Sequence, residues 1–178
     1  AALYDPTAIG EALAAAAGQE PKEIGTALAA AAIENCDAMG PALATAAGAD
    51  ANAFGEALAY ASKTDISSVG CALVKAMKED PEAVGLALAI ASSKNPEAGG
   101  KLFANAAKEN CVSAGASLAV AAKKNSQVLG IALAHAAESN PIATGCALAG
   151  AAKINAVATG QALAVAAARN ADFIGQVL

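Results

Sequence analysis

Glycine recurs every fifteen residues along the whole chain, at Gly10, Gly25, Gly40, Gly55, Gly70, Gly85, Gly100, Gly115, Gly130, Gly145, Gly160 and Gly175. A fixed period of this kind marks an array of one structural unit, and it restricts the fold to architectures in which short elements stack on copies of themselves. Glycine costs a helix interior about 1 kcal/mol relative to alanine. Its recurrence in register therefore needs a compensating gain. Close approach of a neighbouring backbone is the expected one, since Gly25 with Ala29, or Gly85 with Ala89, forms a small-xxx-small ridge.

With glycine placed tenth, the unit reads Ala-Ala-Lys-x-Asn/Asp-Pro-x-Ala-apolar-Gly-x-Ala-Leu-Ala-x, and residues 76–90 come close to this ideal. The fifth position is Asn or Asp everywhere except Glu20, and such side chains accept from the free N–H groups that open a helix. Proline follows at Pro6, Pro21, Pro81, Pro96 and Pro141, where its missing donor costs nothing. Each unit is thus expected to hold one helix of about twelve residues, roughly 18 Å long, followed by a turn of about three. Neither the alanine content nor the periodicity suits a strand.

Leucine occupies the thirteenth position of nearly every unit, from Leu13 to Leu178, with Phe103 the exception. An apolar residue usually stands four earlier and an alanine three later, which is a single buried stripe. Aromatics make up only 3% of the chain, so the core is one leucine per helix wrapped in alanine. The fold class expected is all-α: a right- or left-handed α-solenoid of twelve short helices, one per repeat, in two antiparallel layers. Residues 1–178 form a single repeat domain whose last unit is truncated. Three departures are expected to matter. Pro41 after Gly40 should kink or break its helix. Gly99 and Ala114 thin the core where a large residue normally stands. Thr144 and Thr159 bring hydroxyls able to bond a carbonyl one turn back.

Cys36, Cys71, Cys111 and Cys146 fall at positions six, eleven, six and eleven, so both intervals are 35 residues, two units plus five. Helices two units apart would lie side by side in one layer. Five residues of helix rotate by about 140°, which lets positions six and eleven face each other if the helices are staggered by about 7.5 Å. Disulfides Cys36–Cys71 and Cys111–Cys146, one per layer, are expected on this ground, and with them an oxidising compartment. Buried free thiols are the alternative.

Catalytic signals are absent from the motifs. The single histidine, His135, sits at the variable fifteenth position; no CxxC, HExxH or GxSxG occurs, and the glycines lie within helices instead of ahead of them. The chain is expected to be no enzyme and to need no cofactor or metal. Its net charge of −5 disfavours nucleic acid, and charges break every apolar run too early for a transmembrane segment. The charge is unevenly spread: residues 1–90 carry 12 acidic and 4 basic side chains, residues 91–178 carry 4 and 7. Positions eleven and fifteen ignore the consensus and form an i, i+4 stripe. Tyr60, Leu86, Ile90, Val120, Ile131 and Val165 on that stripe are either half-buried between same-layer helices or a binding surface for a partner or apolar ligand.

Asp80-Pro81-Glu82-Ala83-Val84, leading into an alanine–leucine helix, resembles the second helix of HEAT-type repeats, although this unit is half as long and carries glycine where that family often has arginine. The resemblance implies a solenoid and says nothing of partners. In composition the chain is also similar to alanine-rich ice-binding proteins. The function expected is a non-catalytic structural or interaction scaffold, self-associating end to end, because neither the opening Ala1-Ala2-Leu3 nor the closing Leu178 looks like a polar cap. A secreted ice-binding (antifreeze) protein, with ice met by the alanines of positions twelve and fourteen, is the alternative. An apolar ligand or pigment carrier using the thinned core is a third. An opening Ala1-Ala2 without Met fits a processed mature form and an excised piece equally.

Overall fold

A computed structural model describes residues 5–177, the side chain of Phe173 excepted; Ala1-Ala2-Leu3 and Leu178 lie outside the described residues. These residues form ten helices and no strand: α1 (Pro6–Gln19), α2 (Pro21–Ala49), α3 (Ala51–Thr64), α4 (Ile66–Glu79), α5 (Pro81–Lys94), α6 (Pro96–Glu109), α7 (Cys111–Ser139), α8 (Pro141–Ile154), α9 (Ala156–Arg169) and α10 (Ala171–Val177). The number is ten and not the expected twelve, because α2 and α7 run 29 residues and each spans two units. Inside them Asn35 (φ −160°, ψ 84°) and Asn125 (φ −159°, ψ 89°) leave helical geometry at the repeat's fifth position.

The expected three-residue turn is also corrected. One residue separates consecutive helices, and the single-unit helices from α3 to α6 run 14 residues. The cap residue alone bends the chain. At Asp50 (φ −152°, ψ 93°) the backbone is extended, yet its N–H still donates to the Ala46 carbonyl, and its own carbonyl accepts from Phe54 N–H. Helical hydrogen bonding therefore runs into and out of the bend with no orphaned length of chain between. Asp50 Oδ1 accepts from the N–H groups of Asn52 (2.9 Å) and Ala53 (3.0 Å), and Asn140 Oδ1 accepts from Ala143 N–H at 3.0 Å. Asn35 and Asn125 accept in the same way from Ala38 and Val128.

Among the described caps of α1 to α9, Glu20 makes no side-chain hydrogen bond to its helix; its carboxylate stands one methylene further from the backbone than that of Asp. Glu20→Asp is expected to stabilise the fold by about 1 kcal/mol and Asp50→Ala to destabilise it by a similar amount. Urea midpoints that moved together in one direction would contradict this account.

No break occurs at Gly40-Pro41: the non-helical residue of α2 is Asn35, and Pro41 continues the helix with its ring exposed. Gly40 offers no Cβ to clash with the pyrrolidine ring, and this removes part of proline's steric penalty. The core follows the leucine ladder, with Leu43, Leu58, Leu73, Leu88, Leu118 and Leu133 buried among alanines that are themselves almost fully covered. Nor is the core thinned at Gly99. A Cβ there would stand 2.5 Å from Ser92 Oγ, so the serine already fills the space, and Ala114 is fully buried. Thr144 Oγ1 donates to the Asn140 carbonyl at 2.8 Å, whereas Thr159 Oγ1 is buried without a partner.

The helices pack in layers, and those in contact are one, two or three units apart along the chain. The contact between units two apart is set by the glycines. A Cβ on Gly25 would lie 2.5 Å from the Ala57 carbonyl oxygen and 2.6 Å from Tyr60 Cβ; on Gly85, 2.6 Å from the Ser117 carbonyl oxygen and 2.9 Å from Val120 Cβ. The same partners, 32 and 35 residues ahead, recur for Gly10, Gly55 and Gly130. Each of these glycines thus seats the backbone and the fifteenth-position Cβ of the helix two units on. Only a residue without Cβ permits this approach.

Candidate functional surface

The same stagger brings the cysteines together. Cys36 and Cys71 are joined with Cα atoms 5.8 Å apart, Cys111 and Cys146 with 5.7 Å, and neither pair leaves a free thiol. Position ten meets positions twelve and fifteen, so position six meets position eleven. Both bonds place the protein in an oxidising environment. Asp37 stands beside the first bridge, and its carboxylate oxygen lies 2.7 Å from Lys75 Nζ. The hydrogen bond and charge of Lys75 hold the Asp37 carboxyl below the ordinary carboxylate range. Its charge is therefore already matched within the chain, and the neighbouring sulfurs are bonded to each other.

The variable stripe lies between same-layer helices. Leu86, Ile90, Val120, Ile131 and Val165 are half-buried, and Tyr60 is the most open of the six at 38% exposure. Ile90, Val120 and Val165 rest their Cβ atoms over Gly55, Gly85 and Gly130. Tyr60 sits likewise over Gly25, with Lys63 Nζ 5.2 Å from its ring centroid. His135 lies over Gly100, with Nδ1 3.3 Å from Glu138 Oε2. The stripe accordingly packs helices together; Tyr60 also borders a surface hollow with Glu56, Lys63 and Lys94, and Glu11, Pro41 and Thr45 border another.

The alanines of positions twelve and fourteen are buried through the middle of the chain, Ala57 at 0% and Ala59 at 5% exposure. They form no solvent-facing sheet for ice to meet. Position seven, which the motif reading passed over, is open instead. It is polar in the first seven units and becomes Val112, Ile142 and Val157 later, all exposed. That switch from polar to apolar was the available signal.

The two ends of the array differ from its middle. Ala12, Ala15, Ala27 and Ala30 are exposed, although their equivalents at position twelve, Ala42 and Ala72, are buried. At the other end Ala149, Ala152 and Ala164 are exposed, and Gly160 and Gly175 have nothing within 4 Å of where a Cβ would stand. Gly145 is the last glycine with an occupied seat, taken by the Val177 carbonyl. Among the described helices none is long and apolar enough to cross a membrane. Comparison with known protein families, curated proteins and solved structures gives no match.

Proposed function

We propose that the protein is a non-catalytic scaffold: an α-solenoid of fifteen-residue units in two antiparallel layers, secreted or otherwise held in an oxidising compartment, which presents its surfaces to other proteins or to itself. The observation that carries this reading is the repeated seating of the repeat glycines from Gly10 to Gly145 against the unit two ahead, together with the lack, among the described residues, of any packed pair more than three units apart. Structures of that kind are quasi-one-dimensional, and their length is free to vary without remaking the core.

The reading is tested by lengthening the chain. Duplicating residues 76–105, which add two units and no cysteine, should extend the particle by one interhelical spacing per layer, about 8–10 Å. Small-angle scattering should show the maximum dimension rising at constant cross-section. Swelling in all directions, or loss of helical signal, would refute a solenoid.

A further inference from the structure

Beyond Glu97 the charges sort by edge. Positions three, four and seven, which flank each bend, are exposed in every described unit of the chain. In residues 98–178 the acidic side chains Glu109, Glu138 and Asp172 all flank the bends at Asn110, Asn140 and Asn170. The alternate bends at Asn125 and Asn155 carry Lys123, Lys124 and Lys153 and no acid. Helices that reverse direction from unit to unit put these two sets of bends on opposite edges. Around Asn155 the lysines meet two apolar tips, Ile154 at 62% and Val157 at 73% exposure. Asn170 Nδ2 donates to Glu138 Oε1 at 2.9 Å, and the same register one unit earlier puts Lys123 beside Asn155. We propose that this edge docks on the surface of an anionic phospholipid bilayer, with Ile154 and Val157 entering the interface while Lys123, Lys124 and Lys153 meet the headgroups. The proposal rests on the antiparallel layers of the solenoid reading and names a partner for one of its edges.

Charge, backbone and shape favour this occupant. Lys75, Lys94 and Lys101 each hold a carboxylate within 2.7 Å, but among the described residues Lys123, Lys124 and Lys153 make no ion pair. Their charge is left to act outward. Glu97 on the same edge is matched by Lys101. Asp65 stands three helix spacings from Asn155 along that edge, beyond a Debye length of about 8 Å. The bend between the two tips already uses its polar groups. Asn155 N–H donates to the Ala151 carbonyl at 2.8 Å, its carbonyl accepts from Thr159 N–H at 3.1 Å, and its Oδ1 accepts from Ala158 N–H at 3.0 Å. Such a bend enters an interface without stranding backbone groups. The tips stand proud of the edge, which suits a fluid surface able to close round them; a protein partner would have to offer a fitted recess. Being aliphatic, they give nucleic-acid bases nothing to stack on. Lysine stems lie along the apolar boundary and leave their ammonium groups among the headgroups. Val112 and Ile142 of the opposite edge lack this chemistry, because Glu109 and Glu138 stand beside them.

The test is co-sedimentation with vesicles. Those made of phosphatidylcholine and phosphatidylserine in equal parts should carry the wild-type chain down at low ionic strength, those of phosphatidylcholine alone should not, and added salt should release it. Lys123→Gln/Lys124→Gln/Lys153→Gln should lower partitioning about a hundredfold, and Ile154→Ser/Val157→Ser about tenfold. All five side chains are exposed, so circular dichroism and urea midpoints should stay at wild-type values and separate lost docking from lost folding. Lys108→Gln/Arg169→Gln, on the opposite edge, should bind as the wild type does. A wild-type chain that stays in the supernatant, equal binding to neutral vesicles, or a lysine variant that still binds would each overturn the proposal. So would equal loss in Lys108→Gln/Arg169→Gln, which would remove this edge as the site. Soluble polyglutamate supplies the remaining arm: capture that needs the three lysines but not Ile154 and Val157, with no binding to vesicles, would assign the edge to an acidic polypeptide instead. Scattering from the lengthened chain tests the layers separately. An elongated particle that ignores anionic vesicles refutes the docking alone, and one that swells in all directions refutes the layers whatever the vesicles bind.

Discussion

Gly55→Ala is expected to destabilise the protein by about 2 kcal/mol, and the same substitution at Gly160 to stabilise it by about 1 kcal/mol. Alanine gains about 1 kcal/mol over glycine in any helix interior. At Gly160 nothing opposes that gain, since no atom lies within 4 Å of the new Cβ. At Gly55 the Cβ would stand 2.6 Å from the Ala87 carbonyl oxygen and 2.6 Å from Ile90 Cβ. The carbonyl is backbone and cannot rotate away; relief requires the two helices to separate along their shared length. Overpacking of this kind costs about 1–3 kcal/mol, and its upper range is expected where backbone meets backbone. Urea unfolding at low protein concentration, read as a shift in midpoint at constant slope, checks both signs. Equal effects at the two sites would mean that the glycines do not hold the helix pairs.

Much of this architecture is legible in the sequence because its determinants are local. A carboxylate or amide at position five caps the helix that follows it, and a glycine at position ten either meets a backbone or wastes helix stability. Both can be argued from one unit. The cysteine pairing was reachable too, because two intervals of 35 residues demand a stagger, and the glycine contacts supply it. What escaped were features decided by neighbours. The bend was read as a three-residue turn, since nothing in a lone unit shows that Asp50 N–H keeps its helical bond to Ala46 while the chain changes direction. Variability at position fifteen left half-burial and display both open. The helix contacts account for it as tolerance: Gly25 makes room for the Cβ of Tyr60 as Gly70 does for that of Asn105, and the position-fifteen side chains stay half-buried or exposed. The apolar residues that do stand in solvent, Val112, Ile142 and Val157, occupy a position whose exposure depends on how helix starts line up along an edge. Gly160 and Gly130 hold the same position in the repeat, yet a Cβ would meet nothing at the first and the Ala162 carbonyl at the second, a difference no single unit shows.

Removing either disulfide is expected to cost about 3–4 kcal/mol, and the loss should be felt locally. Each bridge closes a loop across a sequence separation of 35 residues, and the chain-entropy relation for a loop of that size gives this range. The bridges tie different helices, α2 to α4 and α7 to α8, so Cys36→Ala/Cys71→Ala and Cys111→Ala/Cys146→Ala should add to within about 0.5 kcal/mol in the four-site variant. Denaturant midpoints measure the total, and hydrogen exchange shows where it is lost. Packed helices lie no more than three units apart, so opening can begin near a missing staple and stay there. Without Cys36–Cys71, amides of α2 to α4 should lose protection first, while those of α8 and α9 keep theirs. A uniform drop across the chain would show instead that the array unfolds as one unit, and the nearest-neighbour account of its stability would have to be given up.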